Sequence, residues 1–321
     1  MTTLLTGFDS AWTAGKSGAL VGILREDGGK YVEIGPPLRA DYADAEHVID
    51  RWNAQFSPSA IIQFLDQPTI VNNATGQRPV ENIVGSAISR RYGGMQPANR
   101  SRTAMFGDDA PVWRFLKRFG GPLNPLDGRG VSGVIETYPA LAMIALGWTL
   151  PDLAGRLTGR LPKYNPKRRK TFSIADWKHV CASASKELTD SKLSGLAKWI
   201  ENVGQNEKPG KKEQDCVDAC ICLVVALHLA EGRKFLMVGE QRSPKTSIEE
   251  RNTIERQILR WLTAYYGAKV IRRLSQMPAA EDIALKIVVG CEQCSGTGQL
   301  STARCQNCDG RGSEWVVVAR S

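Results

Sequence analysis

Leu4-Leu5-Thr6-Gly7-Phe8-Asp9-Ser10 is a short, mainly apolar run that ends in a carboxylate. Such a run, bounded by polar residues, is typical of a buried β-strand whose last residue emerges at the edge of a sheet. Open α/β sheets bind their ligands at the carboxyl ends of their strands. Residues 61–66 and 134–136 repeat the pattern, because each is an apolar run that ends in one acid. The sequence therefore predicts three neighbouring strands whose terminal acids meet.

The surrounding segments predict an α/β fold with a mixed sheet flanked by helices. The turn Glu26-Asp27-Gly28-Gly29 is a hairpin signal, so the first three strands should form an antiparallel meander. Residues 41–55 have apolar residues at helical spacing, and this crossover would place strand 59–65 parallel to the first. Residues 214–231 form a helix that is apolar almost all round, which predicts burial. Further helices are predicted over residues 78–91, 112–119, 139–146, 174–188 and 191–203.

Composition and charge indicate where the protein is located and which class of partner it binds. No apolar run approaches the roughly 20 residues that span a membrane, and the first residues lack a signal-peptide pattern, so a cytoplasmic protein is expected, with no membrane partner. Residues 1–150 carry 14 basic and 14 acidic residues, whereas the rest carries 28 and 19. A basic half beside a neutral half favours nucleic acid as a partner, although a solvated basic surface has the same composition. With only three histidines, neither a His-dependent triad nor a His-rich metal site is expected.

A further pair of acids opens the long helix. Asp215 and Asp218 are three residues apart, so they share one face of its first turns and can approach Asp9, Asp66 and Glu136 if the helix packs on the sheet. Each pair of carboxylates about 4 Å apart costs about 4 kcal/mol at an effective dielectric of about 20. Bound Mg²⁺ or Mn²⁺ would offset this repulsion, and two such ions can promote phosphodiester hydrolysis. Taken singly, these acids are also explained as turn formers, arginine partners or complements to a helix dipole.

Several motifs occur in the order found in a known family. They are Gly7-Phe8-Asp9-Ser10-Ala11-Trp12, Asp66-Gln67-Pro68, Gly76-Gln77-Arg78-Pro79-Val80-Glu81, Gln96-Pro97-Ala98-Asn99, Val134-Ile135-Glu136-Thr137-Tyr138-Pro139, Lys163-Tyr164 and Asp215-Cys216-Val217-Asp218-Ala219. Over about residues 3–235 the chain thus resembles the family labelled domain of unknown function 429, described as predicted nucleases with an RNase H-like fold. The resemblance implies an RNase H-like domain over residues 1–240 and a metal-dependent nuclease, which is a hydrolase.

The resemblance also implies roles for individual acids. Asp9, Asp66 and Asp218 would be the catalytic residues that bind Mg²⁺ or Mn²⁺, and Asp215 would assist them. The Asp-x-x-Asp-Ala ending is similar to that of Holliday-junction resolvases of the same superfamily. Glu136 would be a further catalytic residue, either as a metal ligand or behind the ligands.

Two charged residues follow Asp66 closely. Arg78 and Glu81 resemble the family's Arg-Pro-x-Glu motif and would line the site. A buried structural ion pair is the alternative. Gln67 departs from the family, in which the middle residue of the Asp-x-Pro motif is usually small.

A basic stretch without acids follows the third apolar run. Cations bind phosphates and an aromatic ring can stack on a base, which predicts nucleic-acid binding; an ordinary solvated loop is the alternative. The residues concerned are Arg156, Arg160, Lys163, Tyr164, Lys167, Arg168, Arg169 and Lys170.

Two Cys-x-x-Cys pairs near the end of the sequence predict a zinc site. The four cysteines are Cys291, Cys294, Cys305 and Cys308, and x-Gly-x-Gly follows each pair. This spacing predicts one closed, structural zinc site with four cysteine ligands, within a small module over residues 245–321 that begins with a helix; disulfides are the alternative. The repeats resemble the cysteine-rich region of DnaJ-type co-chaperones, but two repeats without a J-domain signature do not imply chaperone function. The module could bind nucleic acid or a protein partner.

Three hypotheses for function follow from the sequence. The first is a metal-dependent nuclease with an RNase H-like domain and a C-terminal zinc module. The second is a catalytically inactive adaptor of the same fold that binds nucleic acid or protein. The third is an ATP-using member of the wider superfamily, for which a second glycine-rich phosphate loop after Asp66 is missing.

Overall fold

The computed structural model describes residues 2–76, 78, 97–123, 130–151 and 160–233, together with five strand segments, 239–242, 283–290, 299–300, 303–304 and 313–319. The chain forms two compact units. The core unit comprises Met1–Gly76, Ala98–Met143 and Pro162–Leu227. The second unit comprises Gln77–Pro97, Ile144–Leu161 and His228–Ser321.

The core unit is built on a six-stranded mixed sheet. Its strands are β1 (Thr3–Asp9), β2 (Gly18–Arg25), β3 (Tyr31–Glu33), β4 (Leu38–Ala40), β5 (Ala60–Leu65) and β6 (Gly133–Glu136). Their order is β3-β2-β1-β5-β6, and β4 also pairs with β2. β1 is antiparallel to β2 and parallel to β5, which in turn is parallel to β6. The predicted meander and parallel crossover are therefore confirmed.

Seven helices are described, and all but the shortest of them lie close to predicted positions. They are α1 (Tyr42–Phe56), α2 (Thr103–Phe106), α3 (Pro111–Arg118), α4 (Pro139–Ala145), α5 (Ile174–Asp190), α6 (Ser194–Gly204) and α7 (Lys211–Ala230). Asp41 caps the start of α1, because its side chain accepts a hydrogen bond of 2.9 Å from the Asp44 amide in a capping box. Mixed strands and flanking helices confirm the predicted α/β class. None of the helices in the described ranges combines the length and apolar character of a membrane span.

Helices pack on both sides of β1. On one side, Phe8 lies 5.4 Å from Tyr42 of α1 and 5.5 Å from Phe115 of α3 between ring centroids. On the other side is α7. A Cβ atom at Gly7 would overlap the carbonyl oxygen of Ala219 and lie 2.7 Å from the Leu223 nitrogen. Only glycine allows this approach, which brings the first turns of α7 to the carboxyl end of β1.

The start of α7 differs from the sequence prediction. The helix begins at Lys211, three residues before the predicted Gln214. A positive charge in the first turn opposes the helix dipole, so two lysines there do not signal a helix start. Glu213 offsets this, because its Oε2 accepts a hydrogen bond of 2.9 Å from the Gly210 amide. The longer helix places Lys211 one turn before Asp215.

The described strands of the second unit are antiparallel. β7 (Gly239–Arg242), β8 (Ile283–Gly290) and β11 (Ser313–Ala319) form a sheet of order β11-β8-β7, and β9 (Gln299–Leu300) pairs with β10 (Ala303–Arg304). The β9–β10 pair lies between the two cysteine pairs in sequence. The four cysteines and the helix predicted at the start of residues 245–321 lie outside the described residues, so the zinc module stays a prediction. The helix predicted over residues 78–91 also lies outside them, apart from Arg78.

Candidate carboxylate site

The carboxyl ends of three strands lie side by side, as the sequence predicts. Phe8 of β1 is in register with Leu65 of β5, and Leu65 is in register with Glu136 of β6. The Asp66 amide donates a hydrogen bond of 2.8 Å to the Phe8 carbonyl, so the pairing continues to the residue after the strand. Asp9, Asp66 and Glu136 are therefore neighbours at one edge of the sheet.

Three carboxylates of this edge and of α7 interact electrostatically. Asp9 and Asp218 are buried, and Asp66 is half-buried. Burial, followed by the charge of Asp218, raises the pKa of Asp9 to about 8. Burial and then the charges of Asp9 and Asp218 raise the pKa of Asp66 well above its ordinary value. Burial raises the pKa of Asp218 to about 6, although the charge of Lys211 opposes the rise. Strands β1 and β5 and helix α7 thus contribute acids to one strongly repulsive cluster.

Asp218 is held by two side chains. The Tyr164 hydroxyl donates a hydrogen bond of 2.6 Å to its Oδ1, and the Gln214 amide nitrogen donates one of 2.8 Å to its Oδ2. Both bonds favour the ionised carboxylate. Through this contact Tyr164 belongs to the carboxylate site. Stacking of its ring on a base stays a prediction.

Asp215 contacts two cations that sequence analysis missed. Its Oδ2 lies 2.5 Å from Nη1 of Arg39 in β4, and its Oδ1 contacts Nζ of Lys211. The same Nζ lies 3.9 Å from Oδ2 of Asp9. Lys211 and Asp215 are four residues apart, a spacing that pairs opposite charges on a helix and could have revealed the contact once the helix start was known.

Glu136 differs from Asp9 and Asp218 in its exposure and its contacts. Glu136 is exposed and accepts a hydrogen bond of 3.0 Å from the Thr69 amide. Its charge is among the causes that raise the pKa of Asp66, after burial and the charges of Asp9 and Asp218, so it lies near the cluster.

Of the two residues predicted to line the site, Arg78 is buried and belongs to the second unit. Glu81 lies outside the described residues.

A buried glutamine fixes the loops that follow β1 and β5. Gln67 Oε1 accepts hydrogen bonds from the hydroxyls of Ser10 at 2.7 Å and Tyr42 at 2.5 Å. Its amide nitrogen donates to the carbonyls of Trp12 at 3.4 Å and Met105 at 3.2 Å. These hydrogen bonds explain why a large amide side chain fits at this position.

Part of the basic stretch approaches the cluster. The Lys163 amide donates a hydrogen bond of 2.6 Å to the buried Asp176, which anchors the segment to α5. Burial and the charge of Asp66 raise the pKa of Tyr138 to about 12, and the charge of Arg168 opposes this rise. Arg168 and Asp66 therefore act on the same phenol. Four consecutive exposed cations belong to this segment: Lys167, Arg168, Arg169 and Lys170. Arg160 is half-buried in the second unit, and Arg156 lies outside the described residues.

The donor set fits a hard divalent cation. Asp9, Asp66 and Asp218 supply carboxylate oxygens, which Mg²⁺ and Mn²⁺ prefer. Two buried side-chain oxygens, Oε1 of Gln214 and Oγ1 of Thr137, have no hydrogen-bond partner among the described residues. No group of three acidic, His or Cys side chains in that part of the chain converges closely enough to hold an ion. Without an ion between them, neighbouring carboxylates repel one another.

The fold and this edge define an α/β protein with a buried carboxylate cluster beside the parallel strands of a mixed sheet. A family model described as "Protein of unknown function (DUF429)" matches residues 7–242, and the chain belongs to this family. The match includes every acid of the cluster. Comparison with curated proteins and with solved structures gave no significant match.

Proposed function

We propose that this protein is a divalent-metal-dependent nuclease that hydrolyses phosphodiester bonds of nucleic acid, with the carboxylate mechanism of RNase H-like enzymes. The supporting observation is the cluster of Asp9, Asp66 and Asp218, whose pKa values are raised by burial and by repulsion between the acids. These three residues would hold Mg²⁺ or Mn²⁺. When bound, the ion supplies Lewis-acid chemistry that activates water and stabilises the departing oxygen.

The protein's own residues would orient the acids. Tyr164 and Gln214 fix both oxygens of Asp218. Gln67 ties the backbone just beyond Asp9 to the backbone just beyond Asp66, so the two strand ends keep their spacing. Preorganised ligands do not have to be ordered when the ion and the substrate bind, and this favours catalysis.

The exposed cations at 167–170 would bind the phosphate backbone. Arg168 and Asp66 both influence Tyr138, so a phosphate bound by this segment would lie near the carboxylates. The zinc module, with Cys291, Cys294, Cys305 and Cys308 as ligands, would be a structural addition that binds nucleic acid or a protein partner.

The second candidate is a catalytically inactive adaptor. The observation that favours it is that Lys211 already contacts two of the acids, Asp9 and Asp215, and Asp218 already accepts two hydrogen bonds. Such a site is partly neutralised without a metal. An adaptor would retain binding of nucleic acid or protein after the acids are replaced.

Cleavage of labelled single-stranded, duplex, hybrid and branched DNA and RNA in Mg²⁺ or Mn²⁺ tests the proposal. Asp9→Asn and Asp218→Asn should each abolish cutting. The matched control is Asp108→Asn, because this side chain is 94% exposed and pairs with Arg100 on the surface. Absence of cutting on every substrate, with binding equal in all four proteins, would support the adaptor instead.

A further inference from the structure

Lys211 is a cation built into the carboxylate site. Its Nζ contacts Oδ1 of Asp215 and lies 3.9 Å from Oδ2 of Asp9, which joins the start of α7 to the end of β1. A lysine ammonium is positively charged at neutral pH, and this one faces acids from two elements.

Asp215 holds this ammonium in place. The carboxylate is buried, and Arg39 contacts its other oxygen at 2.5 Å. Arg39 is itself fixed, because its Nη2 donates to the Ser17 carbonyl and its strand β4 pairs with β2. With one cation on each oxygen, Asp215 is engaged differently from Asp9, Asp66 and Asp218. Its arrangement is that of a residue that positions Lys211.

The charges of the buried cluster balance with one divalent ion. When ionised, Asp9, Asp66, Asp215 and Asp218 carry four negative charges, and Lys211 and Arg39 neutralise two of them. The two remaining charges match a single divalent ion. A second ion would have to approach the Lys211 ammonium and would leave excess positive charge in a buried place. Glu136 is exposed, so its charge acts on the buried cluster more weakly than the charges of Asp9 and Asp218 do.

We propose that Lys211 is a fixed monovalent cation that takes the place of a second divalent ion, so that the site binds one Mg²⁺ or Mn²⁺ rather than two. The ion count rests on the proposed function, because it presumes that the carboxylates bind a divalent cation. Asp215 is then a positioning residue for Lys211.

Removing the charge of Lys211 should change both the affinity of the protein for Mn²⁺ and the number of Mn²⁺ ions that it binds. The Lys211→Gln variant keeps a polar side chain but loses the repulsion towards a divalent ion. We expect the first Mn²⁺ to bind about tenfold more tightly, which corresponds to about 1.4 kcal/mol, and a second Mn²⁺ to bind beside Asp215. Lys211→Arg keeps the charge and should bind one ion with wild-type affinity.

Titration of the full-length chain with Mn²⁺, with free Mn²⁺ measured by electron paramagnetic resonance, tests this without an activity assay. The matched control is Lys212→Gln, which removes an exposed positive charge one residue away and should leave both parameters unchanged. Far-ultraviolet circular dichroism checks that each variant is folded, and Lys211→Arg remains informative if the Gln variant is not.

Two outcomes would overturn the inference alone: two ions bound by the wild type or by Lys211→Arg, or a Lys211→Gln variant with wild-type affinity and stoichiometry. Failure of every variant to bind Mn²⁺ would overturn the proposed function and the ion count together. These results are distinguishable, because only the latter shows no binding at all.

Discussion

Because of Asp9, the free energy of unfolding should fall as pH rises. A salt-bridged surface carboxylate has the opposite effect on the pH dependence of stability. The pKa of Asp9 is about 8 in the folded chain, because burial and then the charge of Asp218 disfavour ionisation, against 3.8 for an unperturbed aspartate. Between these values the folded chain keeps a proton that the unfolded chain has released. The unfolded state is therefore favoured progressively as pH increases, and the loss is complete above about pH 8.

The magnitude follows from the pKa difference. One pKa unit corresponds to about 1.4 kcal/mol. The raised pKa of Asp9 should therefore lower the free energy of unfolding by on the order of 4 kcal/mol between pH 4 and pH 7. Asp218, with its pKa raised to about 6 first by burial, adds a smaller loss of the same sign that is complete at lower pH. Asp9→Asn removes one titrating group and part of the repulsion on its neighbours. The variant should lose markedly less stability over the same range.

Urea unfolding followed by tryptophan fluorescence at several pH values, without divalent ions, gives the free energy of unfolding directly. Asp108→Asn is the control and should follow the wild type. Added Mg²⁺ should stabilise the wild type more at pH 7.5 than at pH 5, because the ion binds the ionised carboxylates. Wild-type stability that is level or rises from pH 5 to pH 7.5, or an equal slope in Asp9→Asn, would refute the reasoning.

Three further predictions concern other parts of the chain. Tyr164→Phe removes a hydrogen bond to an ionised carboxylate, so urea unfolding should show a loss of about 1.5–3 kcal/mol and an NMR titration a higher pKa for Asp218; an unchanged titration would contradict the contact. Gly7→Ala forces a methyl group into the backbone of α7 and should cost about 3 kcal/mol or more, whereas Gly15→Ala, which meets no atom within 4 Å, should cost only about 1 kcal/mol for its left-handed backbone; equal losses would be inconsistent with the close approach. Elemental analysis of the purified full-length chain should find about one Zn²⁺, and Cys291→Ser should remove it; retention of zinc would argue against the predicted ligand set.

The strand ends could be predicted from sequence because their signals are local. An apolar run followed by one acid gives both the strand and the side chain at its end, and a helical crossover makes the next strand parallel. This was sufficient to bring together Asp9, Asp66 and Glu136. The spacing of Asp215 and Asp218 added α7, since two acids three residues apart share a helix face.

The cations and hydrogen bonds of the site could not be predicted in the same way. Arg39 lies in a strand of three residues, too short for a pattern, and its partner is 176 residues away in sequence. Lys211 lies at a position where a positive charge opposes the helix dipole. The sequence therefore gave no signal that the helix begins there. Tyr164 is surrounded by cations in sequence, which favoured base stacking, whereas its hydroxyl contacts Asp218, 54 residues further on. Each depends on long-range packing.

The backbone contact between Gly7 and α7 also has a consequence for protein synthesis. Strands β1 and β5 leave the ribosome before α7 does, and a domain generally folds as a unit. Helix α7 is made only after α5 and α6, so the side of β1 that it covers stays open for much of that time. A truncated product that ends before Lys211 presents this uncovered surface to chaperones and proteases, and it lacks the residues that complete the carboxylate cluster.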